Sequence, residues 1–412
     1  MTQTATQHGT PTTTGTDSAK PLPLTWEGQT YLVGEDIYLR PLEKDDAKWS
    51  MSIRDSIFPL APELTEEWIT GDMTKARMTQ FLGIRRKSDE RVVGVARIDR
   101  TRVGGRWLNI FVDPIFGARG DAWKRDALRM ILDWSVVEQQ RPVLHMRVPV
   151  DDAIVDAGKA LGMRETARFR QNAFRGGRFV DTVVLEYLNP AWVKTLGDPN
   201  EIELTRVGRG EKRPVSASVP LAGDPPKNAI MVGERVYLRP FTKADAEQFS
   251  IWSRREPESD ALFNVGRFPM GKLGKWHEIE RHQKAEYPEW IRFAVVDRAT
   301  DAVVGGNGLL ELDYHNRYGE TESFFLPPYR NQGYGSEGKH LLLDYAFNRL
   351  DLHMVTSWVF FTNTRSAAAL RKQGYREAGR INWDYPNNGT FDNWVVFDYL
   401  ADEWRAMPRV ER

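Results

Sequence analysis

The chain of 412 residues contains no cysteine. Disulfides, thiol nucleophiles and cysteine-ligated zinc are therefore excluded, and cysteine usage carries no information about redox compartment. Excess charge is absent as well: Lys plus Arg and Asp plus Glu each total 57. That balance argues against a surface built to grip a polyanion over its whole extent, and so against nucleic acid as a partner. No apolar run approaches the ~18 residues of a membrane span. The amino-terminal residues lack the basic flank and apolar stretch of a signal peptide. No membrane association and a cytoplasmic location are expected. What is present is ordinary globular material: 41% hydrophobic and 28% charged residues, enough apolar surface for real cores. At roughly 150 residues per domain the length suggests two or three of them.

Residues 1–25 are Thr-rich without apolar periodicity and read as a disordered tail. A second irregular stretch, 193–231, carries Pro214, Pro220, Pro225 and Pro226 among Gly and charged residues and reads as a linker. The blocks on either side repeat each other. Gly34-Glu-Asp-Ile-Tyr-Leu-Arg-Pro-Leu matches Gly233-Glu-Arg-Val-Tyr-Leu-Arg-Pro-Phe, and Val93-Gly94 matches Val304-Gly305. Ala160-Leu-Gly-Met-Arg-Glu165 matches Lys372-Gln-Gly-Tyr-Arg-Glu377, and Leu185-Glu-Tyr-Leu188 matches Phe397-Asp-Tyr-Leu400. Matches that stay in order imply two copies of one domain of about 170 residues, at 26–192 and 232–406. In the second copy, strands are expected at Val236–Phe241, Trp290–Asp297, Ala302–Asp313, Glu320–Leu326 and Met354–Phe361, and two final ones bracket 387–389. Helices are expected from about Ala244, over Lys272–Glu286, Ser336–Leu350 and Thr364–Gln373. The fold class is α/β of the α+β kind: in each copy a mixed, mostly antiparallel sheet flanked by helices.

Pro327-Pro-Tyr-Arg-Asn-Gln-Gly-Tyr-Gly-Ser336 lies between an expected strand, ending at Leu326, and a long helix. Gly333 and Gly335 open backbone conformations closed to other residues and remove side chains that would block a ligand. The amides of Asn331, Gln332, Gly333, Tyr334, Gly335 and Ser336 can then converge on an anion at the positive end of the helix dipole. Arg330 adds a charge-assisted contact. The pattern predicts a pyrophosphate cradle.

Arg330-x-x-Gly333-x-Gly335 resembles the acyl-CoA loop of the GNAT acetyltransferases. Asp344-Tyr-Ala-Phe-Asn-Arg-Leu-Asp-Leu-His353, Asn363-Thr-Arg-Ser366, Lys372-Gln-Gly-Tyr375 and Tyr237-Leu-Arg-Pro240 resemble the branch that acetylates ribosomal-protein N-termini and polyamines. The resemblance spans about Gly233 to Glu403 in order and covers the first copy more weakly. It implies acetyl-CoA as co-substrate, direct transfer of acetyl to a small-molecule or peptide amine, and Asn363 as a partner of the pantetheine arm.

An alkyl amine with a pKa of ~10.4 costs ~4–5 kcal/mol to deprotonate at pH 7, whereas an α-amine at ~7.7–8.0 costs only ~1 kcal/mol. A general base therefore matters most for a polyamine or lysine. The resemblance makes Glu322 the first candidate and Asp384 the second. Where many relatives place an acidic Tyr to protonate the thiolate, this chain has Leu370; Ser366 matches a Ser used instead. Both it and Asn363 suit helix-cap or turn roles equally well. Trp383, Tyr385 and Trp394 could wall a substrate groove. In the first copy Gly117 stands for Arg330, Asp121 adds a negative charge beside Gly120 and Ala122, Asn109 replaces Glu322, and Asp151 and Ile154 replace Asn363 and Ser366. That copy is expected to be a degenerate domain without catalysis, packed on the second as an internal pseudo-dimer. The alternative for the whole chain is a non-catalytic acyl-CoA-binding or scaffolding protein.

Overall fold

In the computed structural model the described residues are 32–54, 58–76, 79–100, 106–202, 223–253, 272–387 and 390–408. The Thr-rich tail and most of the expected linker lie outside them. The amino-terminal half supplies β1 (Leu32–Val33), β2 (Ile37–Pro41), β3 (Thr79–Arg86), β4 (Val92–Arg100), β5 (Arg106–Val112), β6 (Val143–Pro149), β7 (Arg164–Arg175) and β8 (Arg178–Leu188). The carboxy-terminal half supplies β9 (Met231–Val232), β10 (Val236–Pro240), β11 (Ile291–Asp297), β12 (Val303–Asp313), β13 (Tyr318–Phe325), β14 (Met354–Phe360), β15 (Arg376–Asn387) and β16 (Thr390–Leu400). Among the described residues these form one sheet in the order β1-β2-β3-β4-β5-β6-β8-β7-β15-β16-β14-β13-β12-β11-β10-β9. Each half is antiparallel except at one pair, β5–β6 and β13–β14. Among the described residues no helix is long and apolar enough to cross a membrane.

The two Tyr-Leu-Arg-Pro segments serve the same local purpose. Leu39 and Leu238 alternate into the core with no exposed surface, as strand period dictates. Tyr38 and Tyr237 send their hydroxyls to Glu90 and Asp301, in the turn that follows the neighbouring strand. Arg40 and Arg239 reach forward to Asp46 (3.1 Å) and Asp245 (2.6 and 3.1 Å), fixing the helical turn that comes next. The motif thus pins a strand to the elements on both sides of it.

Helices Gly117–Leu132 and Tyr334–Asp344 cover one face of their own halves, each with its own core. Some elements differ from the sequence reading. The edge strand β9 and the closing helix Ala401–Ala406 were not anticipated, being too short to show a period. Helix Pro190–Leu196 crosses the expected domain boundary, capped by the Asn189 side chain on the Ala191 amide (3.0 Å). The cradle helix starts at Tyr334 rather than Ser336 and passes into a wide turn at Tyr345–Arg349.

The halves meet at Ala167 of β7 and Gly379 of β15, which are paired. Contacts repeat on both sides of that pair. The Arg170 amide donates to Asp398 (3.0 Å), and the Asn382 amide donates to Glu186 (3.0 Å). Both carboxylates are fully buried. The Arg170 guanidinium holds Asp398 (2.8 Å) and Glu403 (2.7 Å), and Arg376 closes on Asp398 from its own side. An apolar cluster mixes Ala167, Phe169 and Val184 with Met354, Ile381, Val396 and Leu400. Trp383 joins Val143 and Leu188 of the other half rather than lining a groove.

Gly379 has φ +142°, and a Cβ there would lie 2.2 Å from the Thr166 carbonyl oxygen and 2.5 Å from the Ala167 Cα. Both obstacles are backbone, so a methyl group forces the strands apart. Gly379→Ala is expected to destabilise the chain by on the order of 3 kcal/mol, read as a lowered melting temperature. An unchanged melting temperature would show that the two strands separate at little cost.

Candidate active site

The cleft originates in the strand pairing. The parallel strands β13 and β14 are paired only over Tyr318–Glu320 and Met354–Thr356. Beyond that the ladder gives way to side chains: the Thr321 hydroxyl bonds the Thr356 carbonyl (3.2 Å), and the Ser357 hydroxyl bonds the Thr321 carbonyl (3.0 Å). The strands then part, and a cleft of about 640 Å³ opens between them. Glu322, Arg330, Asn331, Gly333, Gly335, Ser336, Asn363 and Ser366 all line it.

The loop ahead of the helix is held from outside the cleft. Gln332 donates to the Pro328 carbonyl (2.6 Å), and Arg235 donates to the Gln332 carbonyl (2.5 Å). Tyr334 donates to Asp297 (2.7 Å), while Glu337 accepts from the amides of Arg235 (2.8 Å) and Val236 (3.3 Å). The Arg330 Nε ties the loop back to the Phe325 carbonyl (2.7 Å). Asn331 (φ 60°) and Gly333 (φ 88°) both take the left-handed region, and Gly333 caps the helix. The first helical amides have no carbonyl a turn earlier to bond, so they stand open at the positive end of the dipole. A Cβ at Gly335 would meet only the Phe325 ring at 3.4 Å. The fold itself therefore tolerates a side chain there, and the missing one leaves room on the cleft side. Leu326 is buried behind the loop. Leu326, Gln332 and Tyr334 are absent from the cleft wall; Gln332 and Tyr334 act by bracing the loop. Open amides, a guanidinium and a space without a side chain suit a pyrophosphate, and the residues present fit acetyl-CoA.

Asn363 caps helix Thr364–Lys372 by accepting the Ser366 amide (3.2 Å). Ser366 gives its backbone to the cap, and both residues remain on the cleft wall. Leu370 lies on the same wall.

Glu322 is about a quarter exposed and accepts Arg292 Nε at 2.6 Å. A Cβ at Gly308, its cross-strand neighbour, would come within 2.7 Å of the Glu322 carboxylate, so that glycine makes room for it. Asp384 is placed elsewhere. It is buried, absent from the cleft lining, and accepts Trp107 Nε1 (2.9 Å) and Trp394 Nε1 (3.1 Å) on its two oxygens. Of the two carboxylates singled out from the sequence, Glu322 is the one on the cleft.

Two cleft residues went unnoticed in the sequence. Glu320 sits two residues before Glu322 and so shares its face of β13. Burial, reinforced by Glu311 and Glu322, pushes its carboxyl up to about 8. Lys339 follows on the cradle helix, only 3% exposed, with Nζ 3.4 Å from the Glu322 carbonyl. Burial brings its ammonium down to about 7 against the pull of Glu322 and Glu320. The available signal was the pair of i, i+2 carboxylates; Lys339, between Gly338 and His340 and close to Glu337, gave none.

Between pH 4.5 and about 8 the folded chain keeps a proton on Glu320 that the unfolded chain has lost. Stability contributed by that proton therefore falls as pH rises through the window. Glu320→Gln removes the slope. The melting temperature of the variant minus that of the wild type is expected to increase between pH 5 and pH 8, and a constant difference would contradict the assignment.

In the amino-terminal half the same positions hold other groups. Asn109 pairs with Arg97, and Trp107 pairs with His145 at the parallel junction where Glu320 pairs with Thr356. Trp123, 2% exposed, stacks edge-on to Phe116 (5.3 Å) at the start of helix Gly117–Leu132, with Arg119 over its ring (5.0 Å). Asp151 pairs with Arg175 (3.1 Å), and Ile154 is buried.

Residues 235–376 match the family model described as acetyltransferase (GNAT) domain. The Bacillus subtilis protein named probable N-acetyltransferase YjcK is 25% identical over 181 residues, 42% of this chain and 97% of that one. The uncharacterized N-acetyltransferase YoaA of the same organism is 27% identical over 164 residues, covering 39% and 90%. Spermidine N(1)-acetyltransferase of Vibrio cholerae is 26% identical over 112 residues, covering 27% and 62%. A dodecameric structure of Vibrio cholerae spermidine N-acetyltransferase aligns with a TM-score of 0.36 and 20% identity, covering 42% of this chain and 97% of that one. Residues 235–376 of the carboxy-terminal half thus match a GNAT acetyltransferase domain, and that half is similar to proteins named as N-acetyltransferases.

Proposed function

We propose that the carboxy-terminal half binds acetyl-CoA and passes its acetyl group directly to a primary amine. The observation that carries this reading is the helix capped by left-handed Gly333 at the mouth of a cleft that also contains Glu322. The open amides and Arg330 hold the pyrophosphate, and Asn363 borders the path of the pantetheine arm. Glu322 takes the proton of the incoming amine. As the carbon–nitrogen bond forms, the carbon–sulfur bond breaks and the thiolate leaves. Ser366 is the proposed proton donor to that thiolate, because Leu370 has no proton to give. A free amine as strongly basic as a polyamine nitrogen gains most from such a base, and the Glu322 carboxylate favours a cationic acceptor.

The amino-terminal half is proposed to be a second, non-catalytic copy. Asn109 offers no base and Gly117 no guanidinium, and Asp121 would stand as a like charge beside any pyrophosphate. The two copies are proposed to pack as an internal pseudo-dimer, a reading supported by the mirrored Arg170–Asp398 and Asn382–Glu186 contacts. The test is release of free CoA thiol from acetyl-CoA in the presence of spermidine, a peptide with a free amino terminus and an aminoglycoside. Amine-dependent release is expected; tight acetyl-CoA binding without any release would favour a non-catalytic acyl-CoA-binding protein.

A further inference from the structure

The carboxylate of Asp384 joins an indole of one half to an indole of the other. Trp107 belongs to β5 of the amino-terminal half, and its Nε1 donates to Asp384 at 2.9 Å. Trp394, on β16, donates to the other oxygen at 3.1 Å. An indole N–H is a donor only, and a buried carboxylate needs donors, so the arrangement satisfies all three groups at once. Trp394 in turn lines the cleft, its ring stacked on Phe360 at 3.8 Å and 22°. Trp358, another cleft residue, lies between them, 6.0 Å from Trp107 and 6.2 Å from Trp394. Phe169 of the amino-terminal half backs it at 6.3 Å. Trp107 stands at the parallel junction where the other half has Glu320. The amino-terminal half thus carries an indole donor at the place where its counterpart carries a cleft carboxylate.

We propose that the amino-terminal half is a positioning partner of the cleft: Trp107, acting through Asp384, fixes the Trp394 ring of the cleft wall, and that this part of the wall receives the amine. The inference rests on the proposed transferase reading. Trp107 touches no reacting atom and is a positioning residue; its effect belongs in acceptor recognition rather than in the chemical step.

Trp107→Phe keeps an aromatic ring and removes the donor. In the full chain, with whichever of spermidine, the peptide amine or the aminoglycoside is acetylated, it is expected to raise KM for the amine roughly fivefold. kcat and KM for acetyl-CoA should stay within about twofold. Asp384→Asn, which cannot accept from two indoles on two oxygens, should do the same. In a Trp394→Phe background the Trp107→Phe effect should disappear, since the two substitutions break one connection. Full additivity, or a fall in kcat with an unchanged amine KM, would overturn the proposal; the latter in Asp384→Asn alone would make Asp384 a base. The Trp394 indole N–H resonance in ¹⁵N-labelled chain reads the connection without turnover. It must move in Trp107→Phe and in Asp384→Asn, and an unmoved resonance overturns the coupling. A moved resonance together with no wild-type turnover on any amine would strike at the transferase reading instead.

Discussion

Gly333→Glu is expected to abolish the thermal stabilisation that acetyl-CoA gives the wild-type chain. A ligand that binds only the folded state stabilises it by RT ln(1 + [L]/Kd), roughly 2.7 kcal/mol at a hundredfold excess over Kd. The substitution removes this in two ways. Gly333 has φ +88°, a conformation that costs an ordinary residue about 1 kcal/mol or more, so the cap that opens the helix amides is itself disturbed. The new carboxylate also stands beside the phosphates. Like charges 4 Å apart at an effective dielectric near 20 repel by about 4 kcal/mol before screening. Each surviving amide contact returns only about 0.5–1.5 kcal/mol, somewhat more when made to an anion. Repulsion wins, and affinity should fall by at least two orders of magnitude. Gly333→Ala separates the causes: it carries the backbone strain without the charge and should retain weakened binding. A full acetyl-CoA shift in Gly333→Glu would remove the cradle from the account.

Glu322→Gln is expected to lower kcat by roughly 10²-fold or more while leaving acetyl-CoA affinity nearly intact. The amide keeps the size of the carboxyl group, so Gly308 still accommodates it, but it cannot take a proton. Arg292 loses the charge it holds at 2.6 Å, so a modest drop in melting temperature accompanies the kinetic effect. The kinetic defect should shrink as pH rises toward the pKa of the amine, because the acceptor then arrives deprotonated. A defect independent of pH would mean that Glu322 orients the amine without accepting its proton. In that case Glu320, two residues earlier on the same face, is the next carboxylate to test.

The geometry of the loop ahead of the helix was legible from sequence because its physics is local. Two glycines, an arginine and a helix start lie within one short segment, and the structure brings Arg330, Gly333, Gly335 and Ser336 to one wall. Strand and helix positions were legible for the same reason, since Leu238 and Leu342 report burial through the period of their own element. What could not be read was set by partners far along the chain. Asp384 looks like any strand carboxylate until Trp107, from the other half, is seen to donate to it. Trp383 looks like a groove aromatic until Val143 and Leu188 close over it. Lys339 seems a solvent lysine, because nothing in its neighbours says that β13 will cover it. The seam was hidden more deeply. Gly379 is one glycine among 33, and its need for a bare Cα arises only from the Thr166 carbonyl that crosses it.

A calorimetric titration of the full chain with acetyl-CoA tests the central claim most directly, because it counts live cradles. The account predicts one acetyl-CoA per chain, lost in Gly333→Glu and undiminished when Asp121 in the amino-terminal half is changed to Asn. Two sites per chain, or one that survives Gly333→Glu, would contradict it.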